Sequence, residues 1–148
     1  MTSMEERMEL MKSLDESFRE VRKLIQAEWN RENEHALGMT HGRMLIILSE
    51  SGPQKASALA EGLQITSGGV TGIADRLIEL GYVSRERSEE DRRAVMLMLT
   101  KNGEAMVQSM LQVREKVMIK LFRGMDTEDM EKALDLFTTM KRNMEREE

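Results

Sequence analysis

The sequence predicts a mainly α chain with one small β-hairpin, and three observations predict it. Apolar residues recur at helical spacing over long stretches at both ends. A run of short elements punctuated by turn residues lies between those ends. Within that run, one segment switches to strand-like alternation around Val95–Leu99. With 148 residues, 40% hydrophobic and 33% charged, the chain fits one lobe plus oligomerisation helices. Aromatic side chains are few (Phe18, Trp29, Tyr82, Phe122 and Phe137), so aliphatic residues and fifteen methionines must fill the core.

The first element is a long helix. Met4, Met8, Met11, Leu14, Phe18, Val21, Ile25 and Trp29 form a near-heptad stripe with charged residues between. Thr40 is expected to cap a second helix with its body at Met44 to Leu48, ended by Ser51-Gly52-Pro53. Ser57 to Gly62 reads as a short helix and Leu63 to Thr66 as a turn. Ser67 to Leu80 reads as a helix closed by Gly81. Two strands follow, Tyr82 to Arg87 and Ala94 to Thr100, joined by the polar stretch Ser88-Glu89-Glu90-Asp91-Arg92. In the second strand Val95, Leu97 and Leu99 share one face and Met96 and Met98 the other. Gly124 and Asp126-Thr127 separate two C-terminal helices with apolar positions Met106, Met110, Val113, Val117, Leu121 and then Met130, Leu134, Phe137, Met140, Met144. Both terminal stripes are longer than a small lobe can cover, so they either pack against a second copy or cover the core of a monomer. Packing on a second copy is the more economical.

Leu59, Ala60, Leu63, Ile65, Val70, Ala74 and Leu77 are spaced to bury facing sides of two helices around a tight turn, which is a helix-turn-helix; the two strands behind it make a wing. The expected fold is therefore a winged helix-turn-helix with long N- and C-terminal dimerisation helices: residues 1–36, a lobe at 37–101, and residues 102–148. The outer face of the second helix offers Ser67, Gly68, Thr71, Gly72, Asp75 and Arg76, small or polar groups suited to a DNA groove. Glycines 68, 69 and 72 each cost a helix about 1 kcal/mol relative to alanine. Close approach of the backbone to DNA would compensate, and so would a frayed first turn or a close contact inside the protein.

Net charge is −5, which argues against nucleic acid. The charge is uneven, however: Lys and Arg number 7 against 10 acids in residues 1–52, 7 against 7 in 53–101, and 8 against 10 in 102–148. The neutral middle contains Arg85, Arg87, Arg92 and Arg93, which are candidates for a local positive surface that binds DNA. For Arg85, Arg87 and Arg92 the competing role is surface ion pairing with Glu86, Glu89 and Glu90.

The run Ala58-Leu59-Ala60, Ile65, Val70-Thr71, Asp75-Arg76-Leu77, Leu80-Gly81-Tyr82-Val83, Arg85, Asp91-Arg92-Arg93 and Leu99-Thr100-x-x-Gly103 resembles the MarR family of winged helix-turn-helix transcription regulators. The resemblance spans roughly residues 40 to 104. It implies a dimer that binds palindromic double-stranded DNA. Asp91 and Arg93 match the family's wing pair, in which an aspartate orients an arginine that enters the minor groove; a narrow groove's negative potential favours that arginine. By the same resemblance Ser67, Thr71 and Arg76 meet the major groove or its backbone, Lys55 and Ser57 reach phosphate, and Arg92 meets phosphate or solvent. It also implies a pocket for a small aromatic or lipophilic effector, with Trp29, His35, Met39 and Arg43 as candidates, and favours repression over activation.

Other chemistry finds little support. No cysteine is present, which removes disulfides and thiol sensing. His35 and His41 lack the partners of a zinc site, so no metal and no cofactor is expected. No phosphate loop, nucleophile elbow or HExxH occurs, which argues against an enzyme. The methionines fall on the apolar stripes, where they serve as core filler rather than as an oxidation sensor. No apolar run approaches a membrane span and the start is acidic, so a cytoplasmic protein without a membrane partner is expected. The alternative to a DNA-binding regulator is a winged-helix adaptor that binds protein.

Overall fold

The computed structural model describes residues 3–90 and 94–145. Six helices and three strands appear among them: α1 (Met4–Glu32), α2 (Met39–Ser51), β1 (Gln54–Lys55), α3 (Ala56–Leu63), α4 (Ser67–Glu79), β2 (Val83–Arg87), β3 (Val95–Leu99), α5 (Lys101–Leu121) and α6 (Thr127–Glu145). The strands form one antiparallel sheet in the order β1-β3-β2, with Val83 opposite Leu99, Arg85 opposite Leu97 and Gln54 opposite Leu97 on the other side. The expected mainly α fold with a hairpin wing is therefore observed.

The chain divides into two compact units, Met1–Val117 and Met118–Glu148. The core of the first is built by one face of each element: Trp29 of α1, Met44, Leu45, Ile46 and Leu48 of α2, Leu59 and Leu63 of α3, and Val70, Ala74 and Leu77 of α4. Val83 and Leu97 from the sheet and Met106, Val107, Met110, Val113 and Val117 from α5 complete it. In the second unit α6 has no buried residue. A reciprocal cap starts that helix: the Asp129 amide donates to Asp126 Oδ1 at 2.8 Å, and the Asp126 amide donates to Asp129 Oδ2 at 3.3 Å.

The apolar stripe of α1 changes character along its length. Met4, Met8, Met11, Leu14, Phe18 and Val21 are exposed, Ile25 is half-buried, and Trp29 is buried. Only the C-terminal end of that helix thus serves its own core. Trp29 is held there by more than packing, because its indole N–H donates to the Leu37 carbonyl at 3.1 Å, and the Asn33 amide donates to the same oxygen. These bonds fix the short connection from which α2 begins.

Two expectations need correction. Thr40 does not cap α2: the helix starts at Met39 with Gly38 as its N-cap, two residues before the expected cap, and no side chain caps it. The pinned Leu37 carbonyl sets where the chain can turn into helix. The sheet also has a third strand, β1, absent from the expected hairpin. Two residues are too few to show a period of two, and the pairing of Gln54 with Leu97 and Lys55 with Met96 comes from tertiary approach.

Candidate nucleic-acid interface

The helix-turn-helix is made by α3 and α4. Gln64 ends α3 in the left-handed region at φ 56° and ψ 46°, and the Ile65 amide returns to the Ala60 carbonyl at 3.0 Å. Thr66 then caps α4, its hydroxyl oxygen accepting the Gly69 amide at 3.0 Å. With Val70, Ala74 and Leu77 buried, Ser67, Gly68, Thr71, Gly72, Asp75 and Arg76 all remain exposed. The Thr71 hydroxyl donates to the Ser67 carbonyl within the helix at 3.1 Å.

The glycines of α4 can now be separated by what surrounds them. A methyl group built on Gly72 would meet nothing within 4 Å, and one on Gly68 only the Thr66 oxygen at 3.9 Å. A close contact inside the unit therefore accounts for neither, and the cap by Thr66 argues against a frayed first turn. What remains is a bare strip of backbone on the outer face of the helix.

Lys55 is exposed at the end of β1, where it forms the N-cap residue of α3, and Ser57 is exposed in the first turn of α3. Arg76 pairs with Glu79 at 3.6 Å, both well exposed. Arg85 does take part in an ion pair, the competing role, but with a partner other than Glu86, Glu89 or Glu90. Its guanidinium bonds the Asp75 carboxylate on α4. Arg87 is exposed at the end of β2 opposite Val95, and the Ser88 amide donates to the Ala94 carbonyl at 3.0 Å to hold the hairpin. Asp91, Arg92 and Arg93, the expected wing-tip residues, lie outside the described residues.

The Leu99-Thr100-x-x-Gly103 segment has a structural task. Thr100 Oγ1 donates to the Gly81 carbonyl at 2.6 Å and accepts the Gly103 amide at 3.0 Å, while the Thr100 amide donates to the Tyr82 carbonyl at 3.1 Å. Gly103 packs so tightly here that an added Cβ would lie 2.0 Å from the Tyr82 oxygen. This junction joins β3, the start of α5 and the turn after α4, and so fixes where α4 stands relative to the sheet.

The four candidate effector residues differ in their surroundings among the described residues. Trp29 is core, His35 and Arg43 are exposed, and Met39 lines an open groove of about 460 Å³ with Arg19, Arg22, Lys23, Ile25 and Gln26 of α1. Arg19 in that groove is also paired with Asp15 at 3.0 Å. His41 is partly buried in the first turn of α2, and its Nδ1 has no hydrogen-bond partner among the described residues. Burial and the neighbouring Arg76 charge hold its pKa below the ordinary 6.5, so the neutral form is favoured. Among the described residues no group of three or more His, Asp or Glu side chains is placed to hold a metal ion, and no helix is long and apolar enough to cross a membrane.

Comparison with known proteins agrees with this geometry. The MarR family model matches residues 37–95. The chain is 28% identical over 137 residues to the helix-turn-helix transcriptional regulator YpoP of Bacillus subtilis, covering 93% of this chain and 97% of YpoP. It is 25% identical to the transcriptional repressor MdtR of the same organism, covering 93% of this chain and 94% of MdtR. Among solved structures, Bordetella bronchiseptica BpsR, whose DNA binding is regulated by 6-hydroxynicotinic acid, superposes with a TM-score of 0.78 at 20% identity. That match covers 86% of this chain and 91% of BpsR. With the family model matched at residues 37–95 and the winged helix-turn-helix formed by α3, α4 and the sheet, the chain carries a MarR family domain and is similar over most of its length to helix-turn-helix transcription regulators.

Proposed function

We propose that the chain binds a pseudo-palindromic DNA operator as a homodimer and acts as a repressor released by a small aromatic or lipophilic effector. The observation that carries the DNA reading is the outer face of α4. It is exposed along its length and leaves the backbone at Gly68 and Gly72 bare, with nothing in the unit that needs them to be glycine. Such a helix can approach base edges and phosphates more closely than one with side chains there. Ser67, Thr71 and Arg76 would make the major-groove contacts, and Lys55 and Ser57 the phosphate contacts. Arg87, Arg92 and Arg93 would serve the wing, with Asp91 orienting Arg93.

The homodimer reading is supported by the exposed apolar stripe of α1 and, in the second unit, by exposed Leu134, Leu136, Phe137 and Met144. A surface of this kind is rarely left bare in a monomer. Two copies related by a two-fold axis would present two recognition helices about 34 Å apart, one turn of DNA. Repression is supported by the similarity to MdtR, and effector control by the similarity to BpsR. The groove beside Met39 has an apolar floor in Ile25 and Met39 and three cationic residues, a lining suited to a small aromatic acid. An effector releases DNA only by binding the low-affinity arrangement of the dimer better than the DNA-binding one.

One observation favours a second reading: the net charge of −5 suits a protein-binding adaptor. Incubation with fragmented genomic DNA, followed by sequencing of the retained fragments and a salt series on the best one, separates the two. A regulator enriches a pseudo-palindrome and loses affinity steeply with salt, since each neutralised phosphate adds about 0.9 to the log–log slope. Failure of a folded dimer to enrich any sequence at low salt selects the adaptor.

A further inference from the structure

Successive positions at i, i+4 and i+7 share a helix face, so Gly68, Gly72, Asp75 and Glu79 form one line down the outer side of α4, and all four are exposed. The strip of bare backbone therefore runs directly into two carboxylates. Glu79 is answered within the helix by Arg76. Asp75 is answered from outside it, by Arg85 of β2. Sheet register explains how: side chains two apart share a face, so Arg85 lies on the side of buried Val83 and directly opposite buried Leu97, the side that packs on α4. Beyond the edge of the core its guanidinium meets the Asp75 carboxylate.

We propose that Arg85 is a positioning residue rather than a phosphate contact: it neutralises the Asp75 carboxylate at the centre of the recognition face and ties the base of the wing to the recognition helix. This rests on the duplex-binding reading above. An unanswered carboxylate on that face would meet the phosphates as a like charge, and like-charge juxtaposition across an interface opposes binding. The fork of the guanidinium also sets the direction of the tie between helix and strand, which a point charge would not. Because both partners are about half exposed, the pair contributes little to folding. Its effect should instead emerge when DNA excludes water from the face.

The test is a double-mutant cycle on the full chain, read as affinity for the enriched duplex across a salt series, with thermal melts and oligomeric state recorded for each variant. Read at the upper end of the salt series, where a phosphate contact by a released Arg85 is screened, Arg85→Ala is expected to weaken specific binding about tenfold in the wild-type background and less than about twofold in the Asp75→Asn background, because coupled residues are non-additive. Arg85→Lys, which keeps the charge but loses the fork, should recover only part of the affinity. Asp75→Asn alone releases Arg85 toward the phosphates. It should steepen the salt slope by about 0.9 and narrow the gap between the enriched and a random duplex. An equal loss for Arg85→Ala in both backgrounds, with a shallower salt slope, would make Arg85 a phosphate contact and overturn the proposal. So would affinity unchanged by Arg85→Ala or an unchanged slope for Asp75→Asn, and these two readouts do not depend on each other's variant folding. Wild-type protein that binds no duplex would instead overturn the DNA-binding reading itself and this inference with it.

Discussion

Gly103 beside α4 and the pair Gly68 and Gly72 within it use the same residue type in opposite ways. At the junction of β3 with α5, Gly103 is pressed against the Tyr82 carbonyl so closely that a methyl group has no room. On the outer face of α4, Gly68 and Gly72 stand in open space. The first glycine is required by the fold. The other two weaken a helix whose own unit leaves open space around them, which is what the proposed DNA contact would use. Both sets fall inside the stretch that resembles one family, and only the geometry separates the part that builds the lobe from the part it presents.

Substitutions can break that contrast. The largest effect is expected at Gly103→Ala, since the Cβ would lie 2.0 Å from a backbone oxygen that cannot move alone. Loss of about 3 kcal/mol of stability in urea unfolding is the expected result. Thr100→Ala removes the cap on the Gly103 amide and the bond to the Gly81 carbonyl, and about 1 to 2 kcal/mol should be lost in the same assay. Gly72→Ala reverses the sign. With free space for the methyl group it should stabilise the fold by about 0.5 to 1 kcal/mol, the ordinary gain of alanine over glycine in a helix. A loss of stability there would mean that Gly72 is packed after all and would erase the contrast.

The smallest effect concerns pH. The pKa of His41 is lowered in the folded state, so the unfolded chain binds the proton more readily. Stability is therefore full above about 6.5, and falls as pH drops from there through the folded-state value. Unfolding midpoints measured between pH 7.5 and 5 should show this decline, and His41→Gln should flatten it. A slope unchanged by the substitution would assign the pH dependence to other groups.

The parts of the molecule legible in the sequence are those in which a local pattern carries the information. The helical repeats of α1 and α4 and the alternation in β3 each have enough residues to show a period. Thr66 and Gly81 mark the ends of α4 by their chemistry. The strand β1 escaped notice because two residues have no period, and the start of α2 because it is fixed by Trp29 and Asn33 on the Leu37 carbonyl. The partner of Arg85 was hidden for a related reason. Sequence proximity offered Glu86, Glu89 and Glu90, whereas strand alternation puts Arg85 on the face of Val83, toward α4, where Asp75 waits. The effector candidates were chosen by type and nearness in the chain. Trp29 is a core side chain whose indole N–H is already bonded to the Leu37 carbonyl, and Met39 lines a groove along α1.

The central claim is that the bare outer face of α4 exists for DNA, and it is tested most directly by the affinity of Gly72→Ala for the enriched duplex at one fixed salt concentration. The predicted result is binding about tenfold weaker, roughly 1.4 kcal/mol, from a protein that is at the same time more stable than the wild type. Affinity equal to the wild type would contradict the account, because the open backbone at Gly72 would then face nothing that needs it.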